Sequence, residues 1–172
     1  MKAKLAGKRI VIWDKKAEKI YDDGSCGKFE NDKLELTMLE AAYLLEKKEI
    51  TIDDFTLPKF LEYCSQNDPR FGLRFTVYKD LRKRDLPTRT GFKFGCDFRI
   101  YGKGVKPMKH GPKTADEHTK WVVFAVPEDF KFSYPELSRA ARLAHNIRAN
   151  MLWAIVGKKG DVSYYSMKFF KP

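Results

Sequence analysis

The sequence lacks the features that define several large classes of proteins. Its 172 residues contain no run of about 18 consecutive apolar residues, so no segment is expected to span a membrane. Residues 1–8 lack the apolar stretch of a secretory signal peptide. Cysteine is scarce, because Cys26, Cys64 and Cys96 are an odd number without metal-ligand spacing. Reduced thiols and a cytoplasmic setting are therefore expected.

Motifs for the commoner enzyme chemistries are also missing. Gly102-Lys103-Gly104 is too short for a nucleotide-binding fingerprint and lacks the strand and helix that should flank one. His110, His118 and His145 have no metal-ligand spacing and no accompanying acidic cluster, although a metal-dependent nuclease needs several converging carboxylates. We therefore expect chemistry that uses no metal ion or other cofactor.

Charge is the most informative feature that the composition does contain. The net charge is +11, and it is unevenly distributed. Residues 1–68 hold 12 Lys and Arg against 14 Asp and Glu, whereas residues 69–172 hold 22 against 9. Such a basic segment favours a polyanionic partner, with nucleic acid the first candidate. The alternative is a surface whose charge only keeps the protein in solution.

The pattern of elements predicts two domains of the α/β type, residues 1–68 and 69–172. The boundary is placed at Asn67-Asp68-Pro69, where a helix N-cap and a proline coincide with the change in charge. The first domain is expected to have a strand at 8–13, a partner strand beginning at 19–21, and a helix opened by the capping box Thr37-x-x-Glu40. The second is expected to be a mixed sheet with few helices.

The second domain is expected to be organised around residues 90–101. Phe92 and Phe94 alternate with a lysine before Gly95, which predicts strand, turn and strand with both phenylalanines in the core. Tyr101 is expected to end the second strand on its polar face, beside a basic loop over 102–117. A half-buried strand tyrosine without a chemical role is the alternative.

Three polar features can converge at the ends of this sheet. They are Tyr101, His118 at the start of the next predicted strand, and a helix over 135–149 that exposes Arg142, His145 and Arg148. Metal-free RNA cleavage needs a base for the 2′-OH, an acid for the 5′-oxygen, and a cation for the charge on phosphorus. Tyrosine, histidine and a basic residue can fill these roles, but spacing alone does not select this hypothesis.

A set of segments carries these residues: Tyr78–Arg84, Thr90–Tyr101, Glu117–Thr119, Arg142–Arg148, Gly160–Val162 and Tyr164-Tyr165. Together they resemble the archaeal tRNA-splicing endonucleases. The resemblance covers the C-terminal half and extends weakly to Leu36–Leu45. It implies a small N-terminal α/β domain, and a C-terminal nuclease-like mixed β-sheet flanked by helices.

The resemblance also implies a reaction and a set of roles. The family acts as a tetramer, or as a dimer of double-length chains, and excises introns at a bulge–helix–bulge in precursor tRNA. The products carry a 2′,3′-cyclic phosphate and a 5′-hydroxyl. Tyr101 matches the family's base, His118 its acid, and Arg142 the arginine that stacks on a flipped base. Further RNA contacts are expected from Arg148, His145 and Lys103.

The main departure from the family is Ala149. The family's catalytic lysine follows the arginine that matches Arg148, and alanine cannot stabilise charge on a phosphate. One hypothesis is a non-cleaving subunit of a hetero-oligomer. The other is a cleaving subunit whose lysine was replaced by design, which the intact Tyr101 and His118 favour.

A second departure lies in the turn 157–161. The family's turn is acidic and inserts into a basic pocket of a neighbouring subunit, but Lys158 and Lys159 leave only Asp161 for that contact. A hetero-oligomer therefore gains weight over a homotetramer. The loop 102–117 is also longer than in the family, and its lysines are expected to widen the RNA contact: Lys103, Lys106, Lys109 and Lys113.

Overall fold

The computed structural model describes residues 1–107, 114, 117–168 and 170. Contacts divide the chain into two compact units, Met1–Phe75 and Thr76–Pro172. The predicted α/β character is confirmed, since each unit contains a five-stranded mixed sheet with helices. No helix among the described residues is long and apolar enough to cross a membrane. The predicted boundary after residue 68 stays a prediction.

The N-terminal unit is built on a sheet of order β3-β4-β2-β1-β5. Its elements are β1 (Lys2–Ala6), β2 (Arg9–Ile12), α1 (Glu18–Gly24), β3 (Lys28–Glu30), β4 (Lys33–Leu36), α2 (Met38–Glu46), β5 (Thr51–Ile52) and α3 (Leu57–Asn67). Helix α4 (Phe71–Lys83) begins in this unit and continues into the next. Alternating apolar residues of β2 and β4 are buried, which gives this sheet its core: Ile10, Ile12, Leu34 and Leu36.

The expected partner strand at 19–21 is wrong, because these residues lie within α1. The Asp14 side chain accepts a hydrogen bond from the Lys16 N–H at 2.9 Å and starts a short 3-10 helix that runs into α1. Strand β2 pairs instead with β1 and β4. Three residues of alternation were too few to distinguish a strand from a helix.

The predicted capping box of α2 is confirmed, and its glutamate has a further role. Glu40 is only 2% exposed. One carboxylate oxygen accepts from the Thr37 N–H at 2.9 Å, and the other accepts from the Gly27 N–H at 2.9 Å. Gly27 has φ +72°, and a Cβ there would lie 2.6 Å from the Glu35 carbonyl oxygen. The Glu40 carboxylate therefore joins the start of α2 to Gly27, the residue that precedes β3.

The C-terminal unit is a sheet of order β10-β9-β8-β7-β6. Its elements are β6 (Thr88–Thr90), a 3-10 helix (Phe92–Phe94), β7 (Phe98–Ile100), β8 (Trp121–Pro127), α5 (Tyr134–Asn146), β9 (Asn150–Val156) and β10 (Val162–Met167). Strands β8 and β9 are parallel, and the other pairs are antiparallel. Tyr78 of α4 contacts Phe98 on one face, with ring centroids 6.0 Å apart. Ala140 and Ala144 of α5 belong to the hydrophobic cluster on the other.

The expected strand through Phe92 and Phe94 is wrong. These residues form a 3-10 helix, and Phe92 is 89% exposed rather than in the core. The reason is the close contact of Gly91 with Cys96, where an added Cβ would lie 2.3 Å from the sulfur. The Gly91 N–H also donates to the Asp97 carbonyl at 2.9 Å. Residues 91–97 therefore form the chain reversal between β6 and β7, although part of this segment was expected to belong to the strands.

We expect Glu40→Gln to lower the free energy of unfolding of the N-terminal unit by about 1–3 kcal/mol, because an amide NH₂ would then face a buried backbone donor. Chemical denaturation followed by circular dichroism measures the change. The exposed Glu49→Gln serves as the control and should have almost no effect. Equal stability of the two variants would contradict the role given to Glu40.

Candidate active site

One open cleft of the C-terminal unit, about 1080 Å³ in volume, is lined by several of the predicted site residues. Tyr101, His118, Lys103 and Arg148 all line it. They come from three segments that are distant in sequence. The structure therefore brings together four of the residues that the sequence had selected.

Backbone hydrogen bonds at the strand ends explain this convergence. The Lys120 N–H donates to the Ile100 carbonyl at 2.8 Å, and the Lys120 carbonyl accepts from the Asn150 N–H at 2.9 Å. The Asn150 side-chain amide donates to the same carbonyl at 3.3 Å. The end of β7 and the beginnings of β8 and β9 are thus held side by side. Residues just outside these ends must lie close together.

Tyr101 directly follows β7 and is fixed by its N–H, which donates to the Pro87 carbonyl at 3.1 Å. The residue is only 3% exposed, so it is more deeply buried than the half-buried strand tyrosine that was the alternative. The tyrosine nevertheless lines the cleft. Its low exposure leaves few water molecules around the side chain, which strengthens its polar interactions.

His118 is exposed and lies before β8, which begins at Trp121 rather than at the histidine. A local turn precedes it, in which the Glu117 N–H donates to the Thr114 carbonyl at 3.1 Å. The Glu117 carboxylate accepts in return from the Thr114 N–H at 2.8 Å. Much of the loop before this turn, including His110, Lys109 and Lys113, lies outside the described residues.

The helix α5 ends at Asn146, earlier than the predicted 149, and the turn after it reaches the cleft. Arg148 adopts a left-handed backbone with φ +55°. The next N–H, that of Ala149, donates to the Ala144 carbonyl at 2.8 Å and closes the helix end. Glycine is the usual residue in such a position. A non-glycine residue in this conformation carries backbone strain.

Ala149 and Asn150 differ in what they contact. Ala149 is half-buried and packs against the hydrophobic cluster below α5. Asn150 is exposed and lines the cleft. A lysine side chain at position 149 would therefore extend from a residue that packs against the hydrophobic cluster. One at position 150 would extend from a residue that lines the cleft.

The other predicted residues lie outside this cleft. Arg142 is exposed and lines a separate open depression on α5 with Tyr134 and Leu143. His145 is exposed on the same helix. Asp161 is exposed in the turn between β9 and β10, at the opposite end of β9 from Asn150, and Lys158 of that turn pairs with Glu128.

Among the described residues, no group of three His, Cys, Asp or Glu side chains is arranged to hold a metal ion. The thiols are buried, and burial raises the pKa of Cys64 to about 12 and that of Cys96 to about 11. Neither is suited to act as a thiolate nucleophile.

Comparison with known proteins identifies the family. The sequence model of the tRNA intron endonuclease N-terminal domain matches residues 1–60, and that of the catalytic C-terminal domain matches residues 71–164. The chain belongs to the tRNA intron endonuclease family. The predicted resemblance is thus confirmed.

Relatives named tRNA-splicing endonuclease extend this match over nearly the whole chain. The protein of Thermococcus onnurineus is 34% identical over 173 residues, which cover 98% of this chain and 95% of the relative. That of Nanoarchaeum equitans is 39% identical over 145 residues, covering 82% and 92%. That of Methanococcoides burtonii is 35% identical over 159 residues, which cover 88% of this chain but only 44% of the relative.

The structure adds cleft residues of this tRNA intron endonuclease chain that sequence reasoning missed. Phe94, Arg99 and Lys120 line the cleft with Tyr101. Arg99 had a signal in the sequence, because it lies two residues before Tyr101 and therefore on the same face of an extended strand. Phe94 had none, since its place depends on the 3-10 turn.

We expect Arg148→Gly to leave the C-terminal unit more stable than Arg148→Ala by about 1 kcal/mol. Both variants remove the charge, but only glycine relieves the left-handed backbone. Chemical denaturation of the two variants in parallel measures the difference. An alanine variant as stable as the glycine variant would show that position 148 carries no backbone strain.

Proposed function

We propose that this chain is a subunit of a tRNA-splicing endonuclease that cleaves precursor tRNA at bulge–helix–bulge intron junctions, without a metal ion. The observation that carries the proposal is the shared cleft, which Tyr101 and His118 both line. Four basic side chains line the same cleft, as an anionic substrate requires: Arg99, Lys103, Lys120 and Arg148.

The chemistry follows from these groups. Tyr101, in its phenolate form, accepts the proton of the 2′-OH, and the 2′-oxygen attacks the adjacent phosphorus. The bond from phosphorus to the 5′-oxygen breaks, and His118 protonates that oxygen as it leaves. The products carry a 2′,3′-cyclic phosphate and a 5′-hydroxyl. His118 is exposed, so it can exchange its proton with water between turnovers.

The negative charge that grows on the phosphate needs a cation, and Ala149 supplies none. Two functions follow from this residue. In the first, the chain carries a catalytic site that lacks its family lysine, or that uses another basic residue. In the second, the chain binds RNA and supports assembly while a different subunit cleaves. Lys158 and Lys159 in the turn before Asp161 favour a partner of a different sequence.

Residues outside the reaction itself contact the RNA and a neighbouring subunit. Arg142 stacks on a base flipped from the bulge, and its exposure beside Tyr134 supports this. His145 and Lys103 contact the RNA backbone. Asp161 contacts a neighbouring subunit within a tetramer, and the complex acts in the cytoplasm.

We expect Ala149→Lys to raise the cleavage rate of a bulge–helix–bulge RNA by about 100-fold, because a preorganised charge at the transition state contributes on that order. Single-turnover cleavage, followed by gel electrophoresis of the products, measures the rate. Asn150→Lys is the matched variant, since it adds the same charge directly to the cleft.

The pattern of results separates the two functions. Cleavage restored by Ala149→Lys alone supports the first function with the family's position for the lysine. Cleavage restored by both variants shows that charge in the cleft suffices. Inactivity of both, with cutting only after a second type of subunit is added, supports the second function.

RNA affinity should depend steeply on salt. If several basic residues of 69–172 contact phosphates, the association constant should fall by about 1,000-fold between about 50 and 200 mM salt. Fluorescence anisotropy with a labelled bulge–helix–bulge RNA measures this slope. A shallow slope would show that the positive charge only keeps the protein in solution.

A further inference from the structure

Arg99 differs from the other cations of the cleft in how firmly it is held. It lies in the middle of β7, paired with Arg89 of β6 and Val122 of β8. It is half-buried, whereas the other basic residues that line the cleft are exposed: Lys103, Lys120 and Arg148. A cation fixed in a sheet loses little side-chain entropy when it binds an anion.

The guanidinium of Arg99 is oriented by an aromatic ring. Its central carbon lies 4.6 Å from the centroid of the Phe94 ring. Phe94 reaches this position through the 3-10 turn between Gly91 and Gly95. Contact with a ring face leaves the edge of a guanidinium free to donate hydrogen bonds.

The donors of Arg99 are not fully used. Its Nε is buried and has no hydrogen-bond partner in the part of the chain that the structure describes. A guanidinium carries further N–H donors, so an anion in the cleft can accept hydrogen bonds from the part of Arg99 that lines it.

We propose that Arg99 binds the phosphate at the cleavage site and that Phe94 is its positioning residue. Arg99 lies two residues before Tyr101 and lines the same cleft as this proposed base. In a chain with alanine at position 149, it is the cation best placed by the fold to stabilise negative charge on phosphorus. This inference rests on the proposed function.

The test compares two RNAs that differ only in charge at the cleavage sites. Both are bulge–helix–bulge RNAs with 2′-deoxy nucleotides at the cleavage positions, so neither is cut. One keeps the normal phosphates there, and the other carries neutral methylphosphonates. We expect the full-length protein to prefer the phosphate RNA by about 10-fold, and Arg99→Gln to remove this preference.

Matched variants separate a phosphate contact from a loss of structure. Arg89→Gln removes the same charge from the opposite strand at a residue that does not line the cleft, and it should keep the preference. Phe94→Leu should reduce the preference, whereas the exposed Phe92→Leu should keep it. A structural defect would weaken binding of both RNAs equally. Arg99→Lys, which keeps a charge but loses the planar donors, should retain only part of the preference.

The outcomes are distinguishable. If the protein binds neither RNA, the proposed function itself is wrong. If it binds both equally, or if Arg99→Gln keeps the 10-fold preference, then Arg99 does not contact the phosphate and the proposed function is unaffected. If Arg99→Gln does not fold, the Phe94→Leu and Arg99→Lys comparisons decide in the same way.

Discussion

The backbone of a single residue, Lys120, holds the candidate active site together. Its N–H is bonded to the end of β7 and its carbonyl to the beginning of β9. Each of these neighbours is next to a residue that lines the cleft: Tyr101 follows Ile100, and Arg148 precedes Asn150 by two residues. Backbone hydrogen bonds do not depend on side-chain identity. The convergence of the cleft residues can therefore persist while the side chains change.

Local signals in the sequence predicted much of this fold. The capping box at Thr37 identified the start of α2, since it requires only residues within one helical turn. The chain reversal at 91–97 was not predictable in the same way. It depends on the contact of Gly91 with Cys96, and alternation of Phe92 and Phe94 suggested a strand instead.

The candidate site was also predicted only in part, because local signals reveal some of its residues and contacts between separate segments determine the rest. Tyr101, His118 and Arg148 were identified through their motifs, and the fold brings them to one cleft. The burial of Tyr101 was missed because it depends on tertiary packing. Arg99 was also missed, although its spacing from Tyr101 gave a signal, because its contact with the Phe94 ring depends on the 3-10 turn. Ala149, by contrast, is evident from the sequence alone, and this one residue raised the question of whether the chain itself cleaves RNA.

The parallel pairing of β8 and β9 has a consequence for how this protein is made. Parallel strands require a crossover, and here α5 forms it. Asn150 cannot pair with Lys120 until the helix between them has folded back across the sheet. During synthesis, the cleft therefore stays incomplete until residue 150 has left the ribosome, although Tyr101 and His118 emerge well before it. The cleft is therefore completed only when the connection through α5 has brought β9 beside β8.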